Sequence, residues 1–305
     1  MPEFNPVLVK ELRGRMRGPR AFVLLTIYLS ILSLMTLLLY TALADNIGSD
    51  LNTGQEIGKG LFLTIAAVAL TEVCVLTPAL TAGSIAGEKE HQTYDLLISS
   101  LLSPWQIVWG KLAAALAFAL LLILAVVPVM SLAFLFGGVS PAEILIALVG
   151  LVATAVFYAA IGLFWSSVMR SSLGATSFSL GSIILMLLGI PFLAVIYALI
   201  TNAGLPRGWL GSTILVYVGG AFLSAHPFIA LGLTEFLLIQ GDSPFFSIVD
   251  YPGGDILIPS PWMAYVLLSA LFSAILILIS VRMLRPVQYE QPDEKDQPPD
   301  DAALD

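Results

Sequence analysis

Residues 105–136 read WQIVWGKLAAALAFALLLILAVVPVMSLAFLF, and no charged side chain follows Lys111 in this stretch. A helix of about 20 residues crosses the roughly 30 Å hydrocarbon core of a bilayer, because each residue adds about 1.5 Å. Lipid offers no hydrogen-bond partner to backbone N–H and C=O groups, so an apolar run of this length satisfies them by forming a helix. The stretch therefore predicts a transmembrane helix.

Five further apolar runs of similar length occupy most of the remaining chain. They lie at about 21–43, 61–86, 142–168, 173–200 and 262–284. Of the 305 residues, 58% are hydrophobic and 11% are charged, whereas about a quarter of the residues in a soluble domain are charged. The mean hydropathy is +0.94. The sequence thus predicts an all-α integral membrane protein whose six transmembrane helices form one domain over residues 21–285.

Residues 1–20 differ from these runs because basic side chains are interspersed with apolar ones. Asn5 and Pro6 are of the types preferred at a helix N-cap and at the first helical position. Leu8, Leu12 and Met16 recur every four residues, which indicates an amphipathic interfacial helix in contact with membrane lipid. A basic flank that only sets the topology is the alternative. The polar residues expected on this helix at the membrane surface are Lys10, Glu11, Arg13 and Arg17.

Residues 286–305 form an acidic C-terminal segment. Seven acidic residues and one lysine there contribute −6 to the net charge of −8. The segment is rich in Pro, Asp, Glu and Gln, so it is predicted to be a disordered cytoplasmic tail. The rest of the chain is nearly neutral and has no basic face for a run of phosphates, so we expect no nucleic-acid partner. The single cysteine, Cys74, excludes an intrachain disulfide.

The 13 Lys and Arg residues predict the orientation of the spans. Short cytoplasmic loops of membrane proteins carry an excess of these residues. With a cytoplasmic N-terminus, only Lys59 and Arg207 fall on the external side, and six spans return the C-terminus to the cytoplasm. We therefore expect a multi-pass protein of the plasma membrane with both termini inside the cell.

Two shorter apolar pieces, Trp209–Leu223 and Phe228–Ile239, precede the last span. The sequence Ala225-His226-Pro227 separates them and breaks the helical pattern. One continuous span here would move Arg282 to the external side, against the distribution of basic residues. Irregular backbone at membrane depth is tolerated where protein or water surrounds it. We therefore predict an external re-entrant hairpin over about 205–255, before the last helix.

The sequence lacks the residue patterns of common catalytic and metal sites. It contains no His-Glu-x-x-His pair and no Gly-x-Ser-x-Gly elbow, and its two histidines, His91 and His226, lie far apart. Residues 54–60, GQEIGKG, look like a phosphate-binding loop, but the spacing is one residue short and Gly60 replaces the required Ser or Thr. We therefore expect no catalytic residue, metal site or cofactor in this chain, and no ATP hydrolysis by it.

The segment between the second and third spans, AGSIAGEKEHQTYDLLISSLLSPW at 82–105, carries the most informative polar sequence. Four of its apolar residues follow the i, i+3, i+4, i+7 spacing of a single helix face. They are Tyr94, Leu97, Ile98 and Leu101. A short cytoplasmic helix at about 88–101 would fit a groove in a soluble partner and transmit that partner's movement to both spans.

Several stretches together resemble the type-2 ABC exporter permeases, the ABC-2 type permease family. They are NPVLVKELR at 5–13, AGEKE at 86–90, Thr93, DLL at 95–97, LSP at 102–104 and GK at 110–111. In that family the first stretch is an interfacial connecting helix, and the second belongs to a coupling helix seated on a nucleotide-binding subunit. The residues that the resemblance assigns to ATPase coupling are Glu88, Lys89, Glu90, Thr93, Tyr94, Leu96, Leu97 and Leu101. Family members often have an Arg and a Gly where Lys89-Glu90-His91-Gln92 stands here.

The resemblance implies the permease subunit of an ABC transporter, an exporter at the level of the family, which forms the substrate pathway and works by alternating access. ATP and Mg²⁺ would then be bound by a separate ABC ATPase subunit, and a second permease copy or a paralogue would complete the pathway. The first and fifth spans would lie near the dimer interface, where Ser177 and Gly181 offer a small packing surface. Packing of these two residues within one subunit is the alternative.

Two rival functions are an ion-driven secondary transporter and a membrane scaffold without transport activity. A secondary transporter normally needs several ionisable groups inside the membrane, and only Glu72 qualifies. A scaffold would use the same cytoplasmic helix to bind a partner without transport. The residues do not identify a substrate, because an apolar pathway is compatible with lipids, drugs, peptides or polysaccharide.

Two acidic residues within or beside the spans bear on function. Glu72 lies near the middle of the second span, where a charge is costly, and is a candidate for the substrate pathway. A hydrogen bond between helices, made by protonated Glu72, is the equal alternative. Glu143 follows Ser140 and Pro141 in the pattern of a capping box, which favours a structural cap over a functional carboxylate.

Overall fold

Helices make up nearly all of the described chain. The computed structural model describes residues 6–16, 19–46, 53–94, 102–202, 209–249 and 255–284. The helices are α1 (Pro6–Met16), α2 (Pro19–Asn46), α3 (Thr53–Glu90), α4 (Pro104–Phe136), α5 (Pro141–Val168), α6 (Ser172–Asn202), α7 (Trp209–Ser224), α8 (Pro227–Ile239) and α9 (Pro261–Met283). Two strands, β1 (Phe246–Val249) and β2 (Ile256–Pro259), lie between α8 and α9. Arg17 and the acidic tail at 286–305 lie outside the described residues.

Among the described helices, six are long and apolar enough to cross a bilayer, namely α2, α3, α4, α5, α6 and α9. They coincide with the six predicted spans, so the prediction of a helical multi-pass membrane protein is confirmed. The largest difference is α3, which has 38 residues and begins at Thr53 rather than at about 61. Ile57 and Leu61 in its first turns are buried, so tertiary packing extends this helix beyond the apolar run.

Two of these helices begin at Ser-Pro sequences. At α4, the Ser103 hydroxyl accepts from the Gln106 N–H (3.3 Å) and the Gln106 side chain accepts from the Ser103 N–H (2.9 Å), which completes a capping box. At α5, Ser140 accepts from the Glu143 N–H (3.3 Å), but the Glu143 carboxylate binds the Lys59 ammonium instead (2.6 Å). The capping box predicted for Glu143 is therefore wrong in its second half, because an ammonium group is a stronger partner than a backbone N–H.

α3 and α5 lie at the centre of the bundle and cross in close contact. A Cβ at Gly162 of α5 would lie 2.1 Å from Thr81 Oγ1 and 2.8 Å from the Pro78 carbonyl oxygen of α3. The apolar clusters that fill the bundle include Phe62, Ile65, Leu122 and Met130 in one half and Ile85, Ile107, Leu112 and Leu163 in the other. By contrast, only 17% of the apolar stretch of α2 and 6% of that of α6 are buried.

The two ends of the bundle carry different structures. At one end, which we call the α1 end, α1 packs against the first turns of α4, beside the last turns of α3. At the opposite end, which we call the hairpin end, the α7–α8 pair and the two strands precede α9. The two ends of the bundle therefore differ in structure.

α7 and α8 form the two short helices predicted on either side of the His-Pro sequence, and the chain bends by 117° between them. His226 holds this break in place. Its Nδ1 accepts from the Ile229 N–H (3.2 Å), and its Nε2 donates to the Leu187 carbonyl of α6 (3.1 Å). Pro191 has no N–H, so the Leu187 carbonyl lacks its usual donor within α6 and is available to the imidazole.

The all-α prediction misses a small β-hairpin. β1 and β2 pair antiparallel, with Phe246 opposite Pro259. The Tyr217 hydroxyl donates to the Leu257 carbonyl (2.6 Å) and so attaches β2 to α7. The signal in the sequence was two short runs rich in β-branched residues on either side of the sequence Pro-Gly-Gly, which is typical of turns.

Candidate functional site at the α1 end

A buried lysine connects three helices at the α1 end. Lys111 of α4 is 2% exposed. Its ammonium donates to the Ser84 carbonyl of α3 (2.8 Å) and pairs with Glu11 of α1 (2.9 Å) and Glu88 of α3 (3.6 Å). A buried ammonium group is costly unless it is paired and hydrogen-bonded, so these contacts fix α1, α3 and α4 relative to one another. We call Lys111, Glu11, Ser84 and Glu88 the Lys111 network.

Glu88 also determines how the chain leaves α3. One carboxylate oxygen faces Lys111, and the other accepts a hydrogen bond from the Thr93 hydroxyl. The Thr93 N–H donates to the Glu88 carbonyl (2.9 Å). Between them Gln92 has a φ of 57°, the left-handed conformation that favours glycine. Glu88 therefore links the buried lysine directly to the polar segment between α3 and α4.

The next two residues attach the same segment to α5 and α6. The Lys89 ammonium donates to the Ser167 carbonyl near the end of α5 and lies 5.5 Å from the centre of the Tyr94 ring. The Glu90 carboxylate accepts from the Ser172 N–H in the first turn of α6 (2.9 Å), where the helix dipole favours a negative charge. Lys89 and Glu90 therefore connect this segment to the end of α5 and the start of α6.

The predicted coupling helix differs from the structure at its start. Glu88, Lys89 and Glu90 form the last turn of α3, so the prediction that a separate helix begins at about 88 is wrong. The apolar span and the polar residues after it form one continuous helix, because buried contacts on α5 extend to the end of α3. Tyr94 is the last described residue before the gap. The remaining predicted coupling residues, Leu96, Leu97 and Leu101, lie outside the described residues.

A helix, α1, is present where the interfacial helix is predicted, and the polar residues predicted on it separate into two groups. Lys10 and Arg13 are exposed, whereas Glu11 faces the bundle and pairs with Lys111. Sequence reasoning did not predict that Lys111 pairs with acidic residues of other helices. A single lysine two turns into an apolar helix is nevertheless a signal, because a buried ammonium group needs a partner. Sequence reasoning also missed Ser166, whose hydroxyl accepts from the Ile85 N–H of α3 (2.8 Å).

Glu72 lies at the midpoint of the membrane-length stretch Gly54–Glu90. Both of its carboxylate oxygens are buried and have no hydrogen-bond partner within the described ranges. The hydroxyl of Tyr28 on α2, a residue that is 1% exposed, also lacks one there. The interhelical hydrogen bond considered as the alternative for Glu72 is thus not formed in this conformation.

Ser177 and Gly181 lie on the outer face of α6, away from the bundle. Both are exposed, and a Cβ at Gly181 would meet no described atom within 4 Å. Together with Trp165 and Phe178 they line an open concave surface. The described helices therefore do not use these small residues for packing within the subunit.

The bundle of six membrane-length helices, with α1 at one end and a bent helix pair at the other, defines a polytopic membrane protein. A family model described as ABC-2 family transporter protein matches residues 20–282, and the chain belongs to this family. The resemblance seen in the sequence motifs is thereby confirmed. Such proteins are membrane components of ABC transporters, typically not catalytic themselves, and generally work with an ABC ATPase subunit. No curated protein sequence matches the chain significantly.

Proposed function

We propose that this chain is the permease subunit of an ABC exporter, forms the substrate pathway and couples to a separate ATPase through the segment that follows Glu88. The observation that carries this proposal is the Lys111 network, because it joins that segment to α1, α3 and α4 through a buried charge. Lys89 and Glu90 extend the same connection to α5 and α6.

The mechanism is alternating access. Closure of two ATPase subunits on ATP displaces the segment around residues 88–101, and the ion pairs pass this displacement to the helices. An exposed ion pair would transmit little force, but Lys111 cannot leave its partners without leaving a buried charge unpaired. The α1 end then moves as a unit and reorients the membrane helices around the pathway.

The α1 end is cytoplasmic in this proposal, as are both termini, and the protein resides in the plasma membrane. The ATPase subunit binds ATP and Mg²⁺ on that side. The excess of Lys and Arg predicted for cytoplasmic loops supports this orientation. A second permease copy or a paralogue would pack on the outer faces of α2 and α6, which bury little within one subunit, with Ser177 and Gly181 at the contact.

An ion-driven secondary transporter is the weaker candidate. Such proteins carry several ionisable groups in the membrane interior, and Glu72 alone lies near the middle of a described span. A scaffold subunit would share the same coupling contacts but would transport nothing. Transport measured with and without the ATPase subunit separates these three functions.

The proposal is tested by Glu88→Ala and Lys111→Met in the complex of permease and cognate ABC ATPase, reconstituted in proteoliposomes. Lys111→Met leaves Glu11 and Glu88 without their shared ammonium partner, and Glu88→Ala removes one of the two carboxylates paired with Lys111 together with the bond to Thr93. We expect the rate of ATP-driven transport to fall by about 5- to 150-fold, which is the factor that typical coupling free energies between two sites produce. Disruption of the Leu96-Leu97 face is expected to weaken co-purification of the ATPase.

Glu56→Ala is the matched control, because Glu56 is an exposed glutamate at the opposite end of the same helix. It should leave transport and co-purification unchanged. Normal transport and normal co-purification in Glu88→Ala and Lys111→Met, with the permease inserted as in the wild type, would refute the coupling assignment.

A further inference from the structure

Three charged side chains from three helices meet at the hairpin end. The Lys59 ammonium of α3 lies 2.6 Å from a carboxylate oxygen of Glu143 on α5 and 2.6 Å from one of Glu235 on α8. The three side chains are 17%, 13% and 5% exposed. One lysine thus lies between two partly buried carboxylates that would otherwise repel each other. We call these three residues the Lys59 clamp.

Two members of the Lys59 clamp are positioned by close backbone contact. A Cβ at Gly58, the residue before Lys59, would lie 2.0 Å from the Gly137 carbonyl oxygen in the loop between α4 and α5. The same loop continues to Ser140, which caps α5 and places Glu143 in its first turn. The start of α3, which carries Lys59, therefore lies directly against the loop that leads to Glu143.

The third member of the Lys59 clamp, Glu235, lies on a separate helix. Glu235 belongs to α8, the second helix of the bent pair, and α8 packs mainly on α5, α7 and α9. Thr234 beside it accepts from the Trp262 N–H at the start of α9 (3.1 Å). A small cavity that Glu235 helps to line lies between α8, α3 and α5, and its apolar lining includes Leu70, Leu151 and Leu231. The Lys59–Glu235 pair therefore connects α8 to α3 beside this cavity.

We infer that Lys59 is a positioning residue that holds α8 against α3 and α5 and so closes the hairpin end until ATP-driven movement separates Glu235 from Lys59. This inference rests on the proposed function, in which the hairpin end is external and substrate leaves through it. An ion pair is suited to a gate because its charges are stabilised in both states. In the closed state Lys59 and Glu235 pair with each other, and in the open state water hydrates each of them.

The test measures access from the external side in a Cys74→Ala background that carries Leu231→Cys in the lining of the cavity beside the Lys59 clamp. A membrane-impermeant thiol reagent is applied to right-side-out membrane vesicles without ATP. We expect Lys59→Met to accelerate labelling about tenfold or more, because the carboxylates repel each other once the lysine is removed. Lys59→Arg should label at the wild-type rate. Glu56→Gln, an exposed charge one turn away, is the matched control and should also leave labelling unchanged.

A charge exchange distinguishes positioning from general damage to the fold. Lys59→Glu alone is expected to label rapidly, and Lys59→Glu combined with Glu235→Lys should restore slow labelling, because the new lysine again lies between two carboxylates. Unchanged labelling in Lys59→Met, or failure of the exchange to restore closure, would overturn the inference.

Wild-type transport in the same vesicles separates this inference from the proposed function. ATP-driven transport together with unchanged labelling of Lys59→Met overturns the Lys59 clamp and leaves the proposed function standing. Accelerated labelling together with transport that needs no ATPase supports the Lys59 clamp and refutes the ATPase-driven mechanism.

Discussion

Glu72 is the residue whose surroundings demand most explanation. A charged side chain at the centre of a span costs roughly 2.5–3.5 kcal/mol on translocon-insertion scales, so such residues are retained mainly for function. In this structure its carboxylate oxygens are buried and are not paired with any described group. The substrate pathway and a structural role are therefore distinguished by changing this side chain.

Replacing Glu72 by Gln keeps the size of the side chain and removes its ionisation. We expect Glu72→Gln to lower ATP-driven transport and to flatten its dependence on pH, while the ATPase still co-purifies. Thr71→Val changes a neighbouring exposed side chain that bonds only to its own helix, and serves as the control. Transport by Glu72→Gln with the wild-type rate and pH profile would show that Glu72 has no role in the pathway.

At the scale of the elements, the crossing of α3 and α5 determines how the bundle packs. Gly162 permits this crossing, because any side chain there would meet Thr81 and Pro78 at distances well below van der Waals contact. Gly150 lies on the same helix in open space, where an added Cβ meets no described atom within 4 Å. The two glycines have the same helical context and differ in their tertiary surroundings.

Gly162→Ala is therefore expected to destabilise the permease by about 1–3 kcal/mol, the usual cost of overpacking a core. Gly150→Ala should be neutral or stabilise it by up to about 1 kcal/mol, since alanine favours helix over glycine. Thermal unfolding of both variants in the same detergent measures the difference. Equal midpoints for the two variants would contradict the close crossing.

At the scale of the whole molecule, the orientation across the membrane decides what each end does. We expect single cysteines at positions 50 and 242 to react with an impermeant reagent from outside and one at 295 only from inside, in a Cys74→Ala background. Six spans with an external hairpin require this pattern. Reaction of position 242 from inside, with positions 50 and 295 reacting from outside, would indicate that the α7–α8 pair crosses the membrane and would invert the direction of the final span.

The sequence by itself determined the number and approximate position of the spans, because the bilayer requires apolar runs of a fixed length and a helical backbone within them. It also determined the helix start at Ser103 and the break at His226, which depend on neighbouring residues. The family motifs also predicted, from the sequence, that the segment around Glu88 contacts the ATPase subunit.

Only the tertiary structure decided which charges meet. Lys59 and Glu143 are 84 positions apart and Lys111 and Glu11 are 100 apart, so their pairing depends on how the helices rotate and cross. Local spacing assigned Glu143 to a capping box, but packing brought an ammonium group closer and the carboxylate bonded to it instead. A sequence pattern records periodicity along one helix, whereas an ion pair between helices depends on the relative placement of both.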